Sequence, residues 1–249
     1  MKIMGIMRNI KLLANGNTNA KTSKNSRESA IMYLAPHTQN SFNTNVCPKA
    51  TKGCILACLY KSGRGAFNSI QQARIRKTDF YISEKQNFLE HLNKEIININ
   101  KRSLKKGIKT AIRMNGTSDL DFLGQLKKNV NDDILSLKNV IYYDYTKILG
   151  KVKKYANTNY RLTFSHSGEN WNECEKALEY GSPISVVFSA NSRKNEPLPK
   201  TYKGIKVIDG DKADDLMLDH KGSFILGLRF KGSAKSRTQA INDGFCIQC

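Results

Sequence analysis

Three thiols crowd into twelve residues in the run Cys47-Pro-Lys-Ala-Thr-Lys-Gly-Cys54-Ile-Leu-Ala-Cys58. If its last part is helical, Cys54 and Cys58 fall on one face, and the turn at Gly53 can bring Cys47 back toward them. Three sulfurs could then meet one inorganic centre. Lys49, Lys52, Lys61 and Arg64 nearby would favour thiolates and offset the charge of what they bind. A second pair, Cys246-Ile-Gln-Cys249, has the spacing with which two thiolates grip one metal. Three outcomes stay open. Cys47, Cys54 and Cys58 could hold an iron-sulfur cluster with one iron open or closed by a tail cysteine. Zinc could take four ligands from the two groups, or the thiols could be free. Cys174, among Glu173, Glu175 and Lys176, reads as an incidental half-buried thiol.

Directly after the thiols, Gly63-Arg64-Gly65 makes a glycine-rich basic turn entering a helix, an arrangement that can hold a phosphate through backbone amides. Arg74 and Lys77 lie one turn apart on that helix and could extend a basic strip. Further along come polar tips: Asn115-Gly-Thr-Ser-Asp119, Asp144-Tyr-Thr146, Ser165-His166-Ser167, Ser189-Ala-Asn191, Asp209-Gly-Asp211 and Lys231-Gly232. Any one tip is ordinary loop chemistry or a helix cap. Together on one rim they would supply a base in His166, an amide in Asn115 and carboxylates in Asp119, Asp144, Asp209 and Asp211.

The elements that must position these groups alternate. Short β-branched or apolar runs span 30–35, 110–114, 140–143, 160–164, 184–188, 205–208 and 224–230, seven strands in all. Helical spacing runs from Ser69 to Lys105, with a break near Ile82 and Ser83 and a stop at Gly107. Shorter helices are expected over 121–137, 146–156 and 171–180. Strands alternating with helices give an α/β fold with a parallel sheet, doubly wound or curled into a full or partial (β/α) barrel; the curled form is expected here. Such folds build their sites from loops after the carboxyl ends of strands, where the polar tips lie. Residues 1–29 read as a basic, polar, irregular arm with one amphipathic piece from Ile3 to Leu13, and 30–249 as the barrel-like domain.

Charge narrows the class. The chain has 249 residues, 41 Lys and Arg and 21 Asp and Glu, a formal net charge of +20. Up to Arg113 there are 21 basic residues against five acidic ones, so +16 of the excess sits in the front half. A field of that sign favours nucleic acid, a nucleotide or another phosphate-containing ligand, although Lys-rich composition alone also solubilises. Hydrophobic residues at 39% suffice for a core and exclude a mostly disordered chain. No uninterrupted apolar run approaches the roughly 18 residues of a membrane span, and no leader is evident at the start. The expectation is a cytoplasmic protein, with no membrane partner and reduced thiols.

The cysteine run continuing to Gly65, with Ala73-Arg-Ile-Arg-Lys-Thr78, Arg113-Met-Asn-Gly-Thr-Ser-Asp119, Tyr143-Asp-Tyr-Thr-Lys147, Leu162-Thr-Phe-Ser165 and Ile208-Asp-Gly-Asp211, resembles the phage gene product 88 family, in order and over nearly the whole chain. The resemblance implies a cytoplasmic accessory protein of phages and other mobile elements. The cysteine loop is also similar, in its place after the first strand, to the radical SAM loop that holds a four-iron cluster. Its intervals of six and three residues are wider than that family's, which argues against S-adenosylmethionine.

The leading expectation is a metal-cluster-binding barrel acting on or beside nucleic acid or a nucleotide. If it is an enzyme, the cluster would work by electron transfer or as a Lewis acid. One alternative is a non-catalytic, zinc-clamped DNA- or RNA-binding module. Another is a magnesium-dependent phosphodiesterase using Asp119, Asp209 and Asp211.

Overall fold

Seven consecutive β-rich runs do become the strands of one parallel sheet. The computed structural model describes residues 10–16, 27–61, 63–192 and 194–249. The strands are β1 (Leu13–Asn15), β2 (Glu28–Met32), β3 (Thr110–Arg113), β4 (Val140–Thr146), β5 (Tyr160–Ser165), β6 (Ile184–Asn191), β7 (Thr201–Tyr202), β8 (Ile205–Asp209), β9 (Ile225–Phe230) and β10 (Cys246–Ile247). Their order across the sheet is β1-β2-β3-β4-β5-β6-β9-β8-β7, with β10 alongside β6. Strands β2 to β6, β9, β8 and β10 run parallel, while β1 and β7 are short antiparallel edges on β2 and β8.

The hydrogen-bonded path ends on β1 and β7, so the closed barrel expected from the strand-helix rhythm is not formed. The reason lies in those two antiparallel strands, which occupy the edges that closure would have to join. Helices α1 (Lys52–Leu56), α2 (Asn68–Ser83), α3 (Lys85–Lys106), α4 (Phe122–Asn129), α5 (Leu149–Tyr155), α6 (Trp171–Glu179) and α7 (Ala234–Asn242) fill the connections and the tail. The main core places Leu92 and Ile96 of α3, Phe122 and Leu126 of α4, Val152 of α5 and Ala177 of α6 against alternate strand residues such as Met32, Ile112, Tyr142, Phe164 and Val186. The helices from α3 to α6 therefore pack on one face of the sheet.

The opposite face carries a short plug. The 3-10 turn Leu216–Leu218 belongs to a cluster with Ala111 of β3, Tyr143 of β4 and Leu226 of β9. Asp214 fixes this plug, accepting from Arg113 Nη1 at 2.8 Å and from Tyr143 Oη at 3.1 Å.

Local rules explain the long hairpin of α2 and α3. Phe88, Leu92, Ile96 and Ile99 recur at three and four residues, giving α3 one buried face. The break falls at Glu84, whose φ of −133° and ψ of 54° leave the helical region, one residue beyond the expected site. Gly107 ends α3 in the left-handed conformation at φ 67°, which glycine adopts without steric cost. Part of the stretch read as an irregular arm is ordered: Glu95 of α3 accepts the backbone amides of Leu12 and Leu13, both at 2.8 Å, and so anchors β1. Most of the Ile3 to Leu13 piece lies outside the described residues. Among the described residues, no helix is long and apolar enough to cross a membrane.

Candidate thiol centre at the carboxyl edge of the sheet

The cysteine loop lies across the carboxyl ends of successive strands, tied to each in turn. Beyond β2, the His37 amide donates to Cys47 Sγ at 3.3 Å, and the Cys47 thiol points to the Thr117 carbonyl of the β3 tip at 3.6 Å. The Asp119 amide donates to the Val46 carbonyl at 2.9 Å. At the β4 tip, Lys147 lies close enough to Cys54 for the thiol to favour its charged form. At the β5 tip, Thr51 Oγ1 donates to the Ser167 carbonyl at 3.3 Å. Thr51 also caps α1 by accepting the Cys54 amide at 3.3 Å, setting the start of the helical turn that carries two of the thiols.

Cys47, Cys54 and Cys58 lie near enough for charge on one to act on another. Burial pushes the Cys47 thiol up to about 12; the His37 amide and Lys147 oppose the rise, and charge on Cys58 or Cys54 adds to it. Cys58 is raised by burial and by Cys54, with Arg74 and Lys147 pulling it down. Lys147 itself is disfavoured as a cation by burial, yet Cys54 and Asp119 hold its pKa above the ordinary value. Two cations thus serve three thiols. Arg74 is set by its neighbours: its guanidinium lies 4.9 Å from the Tyr33 ring centroid and 5.7 Å from that of Tyr60. Its Nε and Nη1 are buried without a hydrogen-bond partner, and burial lowers its pKa.

The polar tips beneath are mostly committed to holding one another. Asp119 accepts from Thr146 Oγ1 at 2.8 Å, the Lys147 amide at 2.7 Å and Lys151 Nζ at 3.4 Å. It therefore places the backbone from which Lys147 reaches the thiols. Asp144, fully buried, accepts the Asn115 amide at 2.9 Å, Asn115 Nδ2 at 3.0 Å and Tyr160 Oη at 2.7 Å. Asn115 Oδ1 in turn accepts from Ser118 Oγ and the Leu120 amide, both at 2.9 Å. Burial raises the Asp144 pKa, with Lys151 and Arg113 opposing. His166 is buried at the β5 tip with Nδ1 unpartnered, and burial lowers its pKa.

Other candidates stand elsewhere. Asp209 receives Arg229 Nη1 at 2.8 Å and Nη2 at 3.0 Å, while Asp211 receives the Arg229 amide at 2.9 Å and Lys231 Nζ at 2.9 Å. Two cations already neutralise this pair, which leaves little for magnesium to gain. Gly63, Arg64 and Gly65 form a 3-10 turn before α2, with Gly63 at φ 52°. The tail cysteines separate: Cys246 is buried on β10 with Phe230, Ala240 and Phe245, and Cys249 is exposed beside Ser189. Cys54 packs against that tail cluster from the outside. Among the described residues, no group of three or more His, Cys, Asp or Glu side chains could hold a metal ion. The four-cysteine zinc clamp between front and tail is therefore not assembled, because β10 pairing with β6 buries Cys246 in an apolar cluster.

Arg74 and Lys147 escaped the sequence reading as partners of the thiols. The only signal was that both sit in the quoted basic motifs, since nothing local says that α2 and the β4 tip converge on one loop.

Over residues 7–249 the chain matches the family described as Gene product 88. No curated protein and no solved structure matches it.

Proposed function

From the premise that the chain belongs to the gene product 88 family, we propose that it is a phage or mobile-element accessory protein that carries a thiolate-bound iron-sulfur cluster and acts on or binds nucleic acid or a nucleotide. The observation that carries this reading is the gathering of Cys47, Cys54 and Cys58 with Lys147 and Arg74 over the carboxyl edge of a parallel sheet. The donor set fits a cluster better than one ion. Thiols that no single ion could bridge can still be reached by a cluster whose irons lie apart. The His37 amide on Cys47 Sγ supplies the kind of hydrogen bond that tunes cluster sulfurs, and the two cations offset the thiolate charge. Cys47, Cys54 and Cys58 would hold such a cluster, which could then offer an open position to a substrate group.

Bound there, the cluster would supply electron transfer or Lewis acidity. The protein's own part is to position and to shield. Asp119 holds the Lys147 backbone; Asp144 and Asn115 lock the β3 and β4 tips; the loop from 47 to 58 covers them.

Anaerobic purification followed by iron, sulfide and zinc analysis tests this. The expected result is a brown protein with iron and sulfide in comparable amounts, lost in Cys47→Ala, Cys54→Ala or Cys58→Ala and retained in Cys249→Ala. Retention of the same iron by Cys47→Ala, or a colourless protein with one tight zinc, defeats the reading.

A further inference from the structure

Residues 29 to 78 contain no Asp or Glu and seven Lys or Arg. This stretch builds the cysteine loop and its surroundings. It also carries five of the six large apolar side chains that stand exposed among the described residues: Phe42, Leu56, Leu59, Phe67 and Ile70. Phe42 is 51% and Phe67 60% exposed. Single exposed apolar side chains are ordinary, but several in one basic stretch mark a candidate interaction surface. Lys49, Lys52 and Lys61 are exposed between them, and none is ion-paired among the described residues.

The fold gathers these pieces. Ser41 donates through its amide and Oγ to the Asp79 carboxylate of α2, at 3.0 and 2.6 Å, which draws the loop before Cys47 onto that helix. Between them lies a shallow open depression bordered by Thr38, Gln39, Asn40, Ser41, Tyr60 and Ile75, with the Tyr60 ring buried beneath it. Asn40 holds the loop around Phe42 in shape, its Nδ2 donating to the Thr44 carbonyl at 2.8 Å and its Oδ1 accepting the Phe42 and Thr44 amides at 3.1 Å.

We infer that this face docks single-stranded nucleic acid, with Phe42 and Phe67 as stacking rings and the lysines on phosphates. The chemistry selects among polyanions. A lipid surface would ask for a continuous apolar patch, whereas here the exposed apolar side chains are interspersed along the chain with exposed lysines. Duplex DNA would present phosphates but no free base face to the rings. A base could reach the thiol centre only out of the stack. Aromatic rings spaced along a basic track are the usual means of holding a strand without sequence preference. The inference rests on the polyanion half of the reading above and not on the cluster.

The test is fluorescence anisotropy of the full chain with a labelled single-stranded DNA oligomer, the same sequence as RNA, the matching duplex, and vesicles rich in anionic lipid. Either single strand should bind at least tenfold more tightly than the duplex. Phe42→Ala and Phe67→Ala should each weaken binding roughly five- to tenfold at unchanged salt slope. Lys61→Ala should flatten the plot of log affinity against log salt by about 0.7. Both rings are exposed, so these variants should fold as the parent does, which circular dichroism checks. Equal binding of duplex and strand, indifference to both ring substitutions, or uptake by vesicles alone overturns the inference. Iron and sulfide measured on the same preparations keep the two readings apart. Strand binding lost while the cluster is intact sinks only this surface. An iron-free protein that still discriminates strands from duplex supports this surface while the cluster reading fails.

Discussion

Asp144 shows how a carboxylate at a strand end can serve architecture rather than chemistry. Its two oxygens take three hydrogen bonds, and Arg113 Nε stands 3.7 Å away, so the charge is matched although no water reaches it. Buried charge is tolerated only with such partners, and removing one end strands the other. Asp144→Ala should therefore cost about 2–4 kcal/mol of unfolding free energy in a denaturant titration. Asp144→Asn should cost less, since its one oxygen still accepts. An alanine variant as stable as the parent would mean that the network contributes nothing to the fold. Asp119 plays the corresponding part for Lys147. The sequence presents both as candidate catalytic acids, and only the donors around them reveal that their lone pairs are already used.

At the scale of elements, the cysteine loop depends on the far end of the chain. A Cβ at Gly53 would stand 2.5 Å from Phe245 Cβ, closer than real carbon pairs approach, so α1 needs glycine there to lie on the tail. Gly53→Ala should destabilise the protein by about 1–3 kcal/mol and speed amide exchange at Cys246 and Ile247. Gly150→Ala is the matched control: nothing lies within 4 Å of a Cβ at that position in α5, so its denaturation midpoint should not fall. Equal effects at the two positions would show that α1 does not need the tail. The sequence announced Gly53 as a turn residue ahead of Cys54. It could not announce Phe245, because the contact joins segments almost two hundred residues apart.

The whole molecule carries +20, most of it in the front half, and that excess repels itself in the compact state. Raising ionic strength should raise Tm, because screening relieves the repulsion between exposed Lys and Arg more than it weakens buried pairs such as Arg113 with Asp214. A short polyanion should raise Tm further at low salt, since it binds the folded surface. A Tm that is flat or falling with salt, measured by differential scanning calorimetry, would mean that surface ion pairs outweigh the net field.

Seven of the eight strands from β2 to β9 were legible as β-branched or apolar runs, and so were the helix pair broken before Lys85, its stop at Gly107 and the α/β class, because these follow from the local period of apolar residues and from glycine's backbone freedom. Short pairings such as β1, β7 and β10 were not, since two or three residues hold too little pattern to stand out. Spacing alone also brought out the thiol triplet. Tertiary structure decided that the sheet stays open, that Cys246 goes into an apolar cluster, that Arg229 and Lys231 take up Asp209 and Asp211, and that Lys147 and Arg74 meet the thiols. Each of these is a contact between distant segments, set by how whole elements pack and where buried charge finds its counterpart, and no local period encodes it.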